Sequence, residues 1–197
     1  MVGASGDMSD YQAIQQMLEK LVIEEYSLDD NHRLSPTHIY EYLSVVMYNR
    51  RSKMNPLWNM LVVGGFRDGQ RFLFLFSFEK TFLFLFFGNN PPTSFASFLG
   101  YVDLKGTTYK SSTIATGYGA HLAQPLLRKH VEGREHELTE EQARAILEES
   151  MRVLYYRDCR ALNKIQIATI TASGAKISEP YVLDTNWNVA QFVSGYD

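Results

Sequence analysis

Between Arg71 and Phe87 the chain reads RFLFLFSFEKTFLFLFF, with phenylalanine and leucine alternating on both sides of Glu79-Lys80. Ten of its twelve phenylalanines lie between Phe72 and Phe98, and no other window resembles this one. Side chains alternate across a strand, so each arm of a hairpin turning at Glu79-Lys80 is apolar on both faces and has no face suited to water. Left exposed, such a pair is an aggregation hazard. Read as a helix, Phe72 to Phe87 falls short of the ~20 apolar residues that cross a bilayer, and Glu79-Lys80 interrupts it, so no membrane partner is expected. Gly88 to Thr93 (GNNPPT) reads as an irregular linker back to Ser97.

The remainder is ordinary for a single α+β domain. The chain has 197 residues, 45% apolar, with 19 Lys+Arg against 22 Asp+Glu for a net charge of -3. At this size a fold removes roughly 70% of its unfolded surface from water, enough for a core without disulfides or metal. A small stapled scaffold, a disordered tail and a large nucleic-acid footprint are thereby excluded. Cys159, the single cysteine, has no partner within the chain, which favours a reducing compartment. Met1 to Asp10 carries acidic residues where a secretory signal has a basic start and an apolar run, so the expected setting is intracellular.

Periodicity divides the chain into segregated runs. Tyr11, Ile14, Leu18, Leu21 and Val22 line one face of a helix over Ser9–Tyr26, opened by a Ser9/Gln12 capping box. Ser35-Pro36 starts a second, with Ile39, Leu43, Val46 and Met47 inward, and Asn55-Pro56 should stop it. Trp58 to Val63, closed by Gly64-Gly65, reads as a buried strand, with a turn at Asp68-Gly69. Phe98 to Asp103, a tight turn at Lys105-Gly106 and Thr107 to Ser111 continue a meander. A helix follows over His121–His130. Thr139 and Gln142 then box the start of a longer one, with Ala143, Ile146, Leu147, Met151 and Leu154 on one face and an end near Arg157. Ile165, Ile167 and Thr169 alternate as a strand does, and Ser173-Gly174 turns toward a last strand at Lys176–Glu179. Helices, then antiparallel strands, then helices and a hairpin argue α+β with helices packed on sheet faces.

Chemical motifs are sparse. His32, His38, His121, His130 and His136 lack the spacings of a zinc site and read as solvated surface residues, so neither metal nor cofactor is expected. Cys159 lies between Arg157 and Arg160 and could be an activated thiol, but no catalytic signature surrounds it, and a buried small residue at a helix end is the expectation. Gly117-Tyr118-Gly119 reads as a simple loop and not a phosphate cradle. Arg50, Arg51 and Lys53 read as cations favoured at a helix's negative pole.

Three stretches together, GASGD at Gly3–Asp7, RRSKMNPLWN at Arg50–Asn59 and VLYYRD at Val153–Asp158, resemble the proteasome beta subunits, and within them a branch without catalytic activity. FLGYVD at Phe98–Asp103, ATGYGAHLAQPLLR at Ala115–Arg128 and TNW at Thr185–Trp187 extend the likeness over nearly the whole chain except residues 71 to 96. The resemblance implies an N-terminal nucleophile hydrolase-type four-layer sandwich, two antiparallel sheets between helical layers, lacking its first strands. It implies as partners the other alpha and beta subunits in stacked seven-membered rings, in cytoplasm and nucleus.

Active members of that family cut peptides with an N-terminal threonine whose amine is the base. By the resemblance, Met1-Val2-Gly3 aligns with the strand leading into the first helix, so the nucleophile and its early helpers are absent. Gly117-Tyr118-Gly119-Ala120 stands in place of a serine-bearing turn, Ala161 in place of a serine, and Asp158 alone matches, as a helix-end hydrogen-bond partner. The expected function is a non-catalytic structural subunit. Asn186, Trp187, Phe192 and Tyr196 are its candidate docking residues, in a C-terminal tail. The 26 residues from Arg71 to Ala96 interrupt a short hairpin turn of the family, and their Phe/Leu bias is what U-rich intron codons would encode. Alternatives are a truncated or mis-spliced product that does not assemble, and a threonine peptidase. The second is disfavoured because neither Thr37 nor Thr81 follows a glycine.

Overall fold

The computed structural model describes residues 1–31, 33–66, 71–77, 82–87, 97–171 and 174–188. The turns expected at Asp68-Gly69 and Glu79-Lys80, the 88–93 linker, His32, Thr81 and Ser173 lie outside them. The chain runs β1 (Val2–Gly6), α1 (Met8–Leu28), α2 (Pro36–Ser52), β2 (Asn59–Phe66), β3 (Arg71–Ser77), β4 (Phe82–Phe87), β5 (Ser97–Val102), β6 (Thr108–Lys110), β7 (Thr113–Ala115), α3 (Gly119–Val131), α4 (Glu140–Arg157), β8 (Lys164–Thr171), β9 (Gly174–Ile177) and β10 (Tyr181–Val182).

Two antiparallel sheets result. Sheet 1 has the order β1-β2-β5-β6 and sheet 2 the order β10-β8-β3-β4-β7, with β9 also paired to β8. Strand alternation then sorts the core into three clusters. Leu61 and Val63 of β2 join Ile14, Tyr40, Leu43 and Met47 of α1 and α2, whereas Val62 between them faces Phe84, Leu99, Ile114, Ala168 and Ile170 in the space between the sheets. On sheet 2 the same period sends Leu83, Leu85, Ile165 and Ile167 to the other side, against Ala123 and Leu127 of α3 and Leu147, Met151 and Leu154 of α4. The chain is an α+β protein, as its segregated runs indicate.

This sorting explains the Phe/Leu segment. Its two arms do pair as a hairpin, from Arg71↔Phe87 to Phe76↔Phe82. They do not stand exposed: β3 pairs β8 and β4 pairs β7, so the hairpin fills the middle of sheet 2. Leu83, Phe84 and Leu85 are all fully buried, Phe84 toward sheet 1 and the leucines toward the helices. A strand covered on both faces needs apolar side chains at every position.

Helix ends follow local chemistry. Ser35 caps α2 and Thr139 caps α4, each in a reciprocal box with the residue three along, His38 and Gln142. Three boundaries differ from expectation. The first helix opens at Met8 with Asp7 as its cap, not at Ser9, and the Asp7 carboxylate accepts from Asp10 N at 3.0 Å. The cause is β1, which holds the chain in sheet 1 until Asp7 N donates to Trp58 O. The second helix ends at Ser52, before Asn55-Pro56. Met54 takes a left-handed φ of 55°, and the amides of Met54 and Asn55 reach back to Arg51 O and Arg50 O, a Schellman closure. And β2 runs on through Gly64-Gly65 instead of closing there. A Cβ at Gly65 would lie 1.9 Å from Pro36 Cγ, so α2 can rest on the strand only because that position is glycine. The turn at Lys105-Gly106 is present, with Gly106 at φ 81° and the Asp103 carboxylate accepting from Lys105 and Thr107 amides.

Val22, expected on the core face of α1, is exposed, as are Ile23 and Tyr26. The helix of 21 residues is about 31 Å long, and its one fully buried residue, Ile14, lies in its first half. The strand expected at Lys176–Glu179 comes earlier, at Gly174–Ile177, and is not the last, since the short strand β10 follows it; the short β7 also adds to the pattern. Among the described residues no helix is long and apolar enough to cross a membrane.

Because Phe84 fills the space between the sheets, Phe84→Ala is expected to cost about 3–5 kcal/mol of unfolding free energy. Urea unfolding of the two chains side by side measures it, and a cost under about 1 kcal/mol would mean that the space collapses around the change.

Candidate functional site

Asn186 and Trp187, two of the four candidate docking residues, fall where the chain leaves β10 and returns over the end of α4. Leu183 is buried in the helix-facing cluster, and its amide and carbonyl pair with Asn163, at 3.1 Å to the carbonyl and 3.0 Å from Asn163 Nδ2. Arg152 Nε donates to Asp184 O at 2.9 Å, and Asn186 N donates to the Tyr156 hydroxyl at 2.7 Å. Asn186 Oδ1 in turn accepts from Asn188 N at 2.9 Å. Residues 183–188 are thus fastened at successive points to α4 and to the start of β8.

Trp187 completes the arrangement. Its ring stands edge-on to two consecutive tyrosines in the last turn of α4, 5.8 Å from Tyr155 at 74° and 5.0 Å from Tyr156 at 90°. Edge-to-face aromatic pairs of this kind are worth about 0.5–1.5 kcal/mol beyond the area they bury. Yet Trp187 remains 51% exposed. One part of the indole is held by the tyrosines and the rest is offered to solvent, which fixes its orientation before anything docks on it. Phe192 and Tyr196, the other two candidate docking residues, lie outside the described residues. In the sequence Tyr155 and Tyr156 stand out only as part of VLYYRD. The available signal was a pair of adjacent tyrosines at a helix end, but their partner is 31 or 32 positions away.

Further along the sheet edge, the Tyr181 hydroxyl donates to the Glu148 carboxylate at 2.5 Å. Burial, then the hydrogen bond and charge of Glu148, push the Tyr181 phenol well above its usual range. On sheet 1 burial, with Tyr109 and Asp103 adding to it, pushes Tyr101 up to about 12.

The remaining chemical candidates serve local structure. Asp158 closes α4, its Oδ1 accepting from Arg160 N at 3.0 Å and its carbonyl from Ala161 N. Gly117, at φ 60°, turns the chain into α3, and Gly117 O and Tyr118 O accept from the amides of Ala120 and His121. Cys159 is exposed rather than buried, because it occupies the turn after Asp158 where side chains project outward. His38 is a capping partner, and Arg50 and Arg51 occupy the last turn of α2. Thr37 lies in the first turn of α2. Among the described residues no three His, Cys, Asp or Glu side chains gather as metal ligands.

Comparison with known proteins matches residues 94–170 to a family described as "Proteasome subunit". Proteasome subunit beta type-4 of Xenopus laevis is 44% identical over 197 residues, covering all of this chain and 70% of that protein. Proteasome subunit beta type-4 of Arabidopsis thaliana is 40% identical over 192 residues, covering 98% of this chain and 66% of the relative. A probable proteasome subunit beta type-7 of Schizosaccharomyces pombe is 43% identical over 197 residues, with 100% and 66% covered. The chain spans about two thirds of the length of these relatives.

The raised phenols of Tyr181 and Tyr101, and those of Tyr11 and Tyr109, which burial also pushes up, tie stability to alkaline pH. A tyrosine held protonated in the fold contributes stability that is complete below the unfolded value of 10.0 and is lost as pH rises toward and through its folded value. The urea midpoint should therefore fall from about pH 10 to 12, and less steeply in Tyr181→Phe. An equal slope in both chains would remove Tyr181 from the account.

Proposed function

The chain belongs to the proteasome subunit family and is a beta subunit of it, and on that premise we propose that it works in the core particle as a wall-forming subunit without catalytic activity. Its contribution to protein degradation is then indirect. It holds neighbouring alpha and beta subunits in stacked seven-membered rings, in cytoplasm and nucleus. The observation that carries this reading is Trp187, pre-oriented by Tyr155 and Tyr156 and still half presented to solvent. Large aromatics that enter a partner's pocket already ordered lose little entropy on docking and dominate interface energy.

Several features agree with a structural role. At the positions matching the family's later active-site elements, Ala120 and Ala161 carry no hydroxyl, and the Asp158 carboxylate is engaged in its own turn. The succession of α1 and α2, sheet 1, sheet 2, then α3 and α4 favours the four-layer sandwich of N-terminal nucleophile hydrolases. We read the whole chain as one beta-type domain, interrupted at 71–96 by an insertion. Phe66 and Ser97 are direct partners in sheet 1, so Arg67 to Gln70 could close that hairpin alone.

Two measurements test these readings. A tagged chain carrying Trp187→Ala, or ending at Thr185, should incorporate less into core particles on a density gradient than the unchanged chain. Equal incorporation would remove the tail from the interface, and an unchanged chain that never enters the particle would favour a non-assembling product. Peptide mass spectrometry of the native protein decides the insertion. A peptide joining Gln70 directly to Ser97 supports it, and abundant peptides from 71–96 refute the view that the segment is translated intron.

A further inference from the structure

The end of α1 breaks an electrostatic rule that the other three helices keep. A helix C-terminus is a negative pole and favours cations. Arg50 and Arg51 close α2, Arg128, Lys129 and His130 close α3, and Arg157 closes α4. The last turn of α1 holds no basic residue. Glu24 and Glu25 lead into its end instead, and Asp29 and Asp30 follow directly. Over residues 19–34 five carboxylates stand against Lys20 and Arg33, an excess as large as the net charge of the whole chain. Lys20 reaches Glu24 at 3.7 Å, but both side chains are largely exposed, so the pair offsets little.

The same place leaves apolar surface in water. Val22, Ile23 and Leu28 are exposed, and Tyr26 is 87% exposed. Val22 and Tyr26 lie one turn apart on one face of the helix. With Glu25, Asp29 and Leu34 they line a groove of about 410 Å³. Asp29 and Asn31 take left-handed φ values of 49° and 58°, which turn the chain back at this groove. A cavity of about 150 Å³ holds a benzene ring, so the groove has room for more than one apolar side chain.

Charge and backbone together narrow what fits. A second copy docked face to face, an anionic membrane or a nucleic acid would each bring negative charge onto negative charge. Among the described residues no strand lies between Gly6 and Asn59, so a partner finds no ladder here to extend. It has to satisfy its own backbone, as a helix does. We propose that this groove is a docking site for one class of partner: an amphipathic helix of another protein, aliphatic on one face and flanked by lysine or arginine. Its aliphatic side chains cover Val22 and Tyr26, and its cations lie over Asp29 and the carboxylates around it, at the negative pole of α1. The proposal uses no residue of the Trp187 surface and is decided separately from it.

Titrating the full chain with a labelled peptide of leucine and lysine tests it, read by fluorescence anisotropy. The peptide has about 18 residues, with leucines at i, i+3, i+4 and i+7, so that it holds a helix with one apolar face. It should bind, more weakly as salt rises, and slow hydrogen exchange of the amides at the end of α1. Peptides with glutamate in place of lysine, or serine in place of leucine, should not bind over the same range. Val22→Ser with Tyr26→Ser, both at exposed positions, should weaken binding about tenfold or more. Asp29→Asn separates docking from folding. Asparagine tolerates the left-handed φ and removes a charge from the negative pole, so the urea midpoint should rise while the peptide binds about two- to fivefold more weakly. No binding of the leucine–lysine peptide, or binding that the Val22/Tyr26 double change leaves as it was, overturns the site. Equal binding of the glutamate peptide overturns its selection by charge. A lower urea midpoint in Asp29→Asn assigns that carboxylate to the fold and overturns its part in docking.

Discussion

Sheet 2 is apolar on both faces, and both faces must be covered. Leu83 and Leu85 look one way from β4 and Phe84 the other, and all three are fully buried. Each such side chain contributes about 1.5–3 kcal/mol relative to exposure, so three of them weigh as much as the low end of a domain's whole net stability, about 5–15 kcal/mol. Two consequences follow. The helices α3 and α4 lie along one face, and sheet 1 must cover the other. Sheet 1, with Leu61 and Val63 on its far side, then needs α1 and α2 in its turn.

Where chemistry is local, the sequence was readable. Ser35 and Thr139 cap their helices because oxygen acceptors precede free amides by two or three residues, and nothing distant decides that. The α4 face from Ala143 to Leu154 and the alternation in β8 were readable for the same reason, since each follows from a single period. The Phe/Leu arms read correctly as paired strands, but their covering layers come from residues far along the chain. Asp7 displaces Ser9 as a cap because the pairing of β1 with β2, about fifty residues on, holds the chain extended up to it. Val22 is exposed although it continues the period of Ile14 and Leu18, because a period fixes a helix face and not what packs on it. Strands as short as β7 and β10 carry too few residues to show a period.

The candidate site divides in the same way. Trp187 and Asn186 could be singled out from the sequence as aromatic and polar residues near the C-terminus. The clamp that orients them could not, because it joins Tyr155 and Tyr156 to residues about thirty positions later. Asp158 and Ala161 sit together in one turn, and their local hydrogen bonds account for that turn without reference to chemistry on a substrate. What the surface offers at this end of α4 is a fixed, half-open indole.

Native mass spectrometry of the affinity-purified full chain tests this account most directly. The account predicts that the chain is recovered within a particle containing the other alpha and beta proteasome subunits, and that the chain freed from that particle hydrolyses no peptide. Recovery as a lone chain that cleaves peptides, with the activity abolished by a threonine-directed inhibitor, would contradict it.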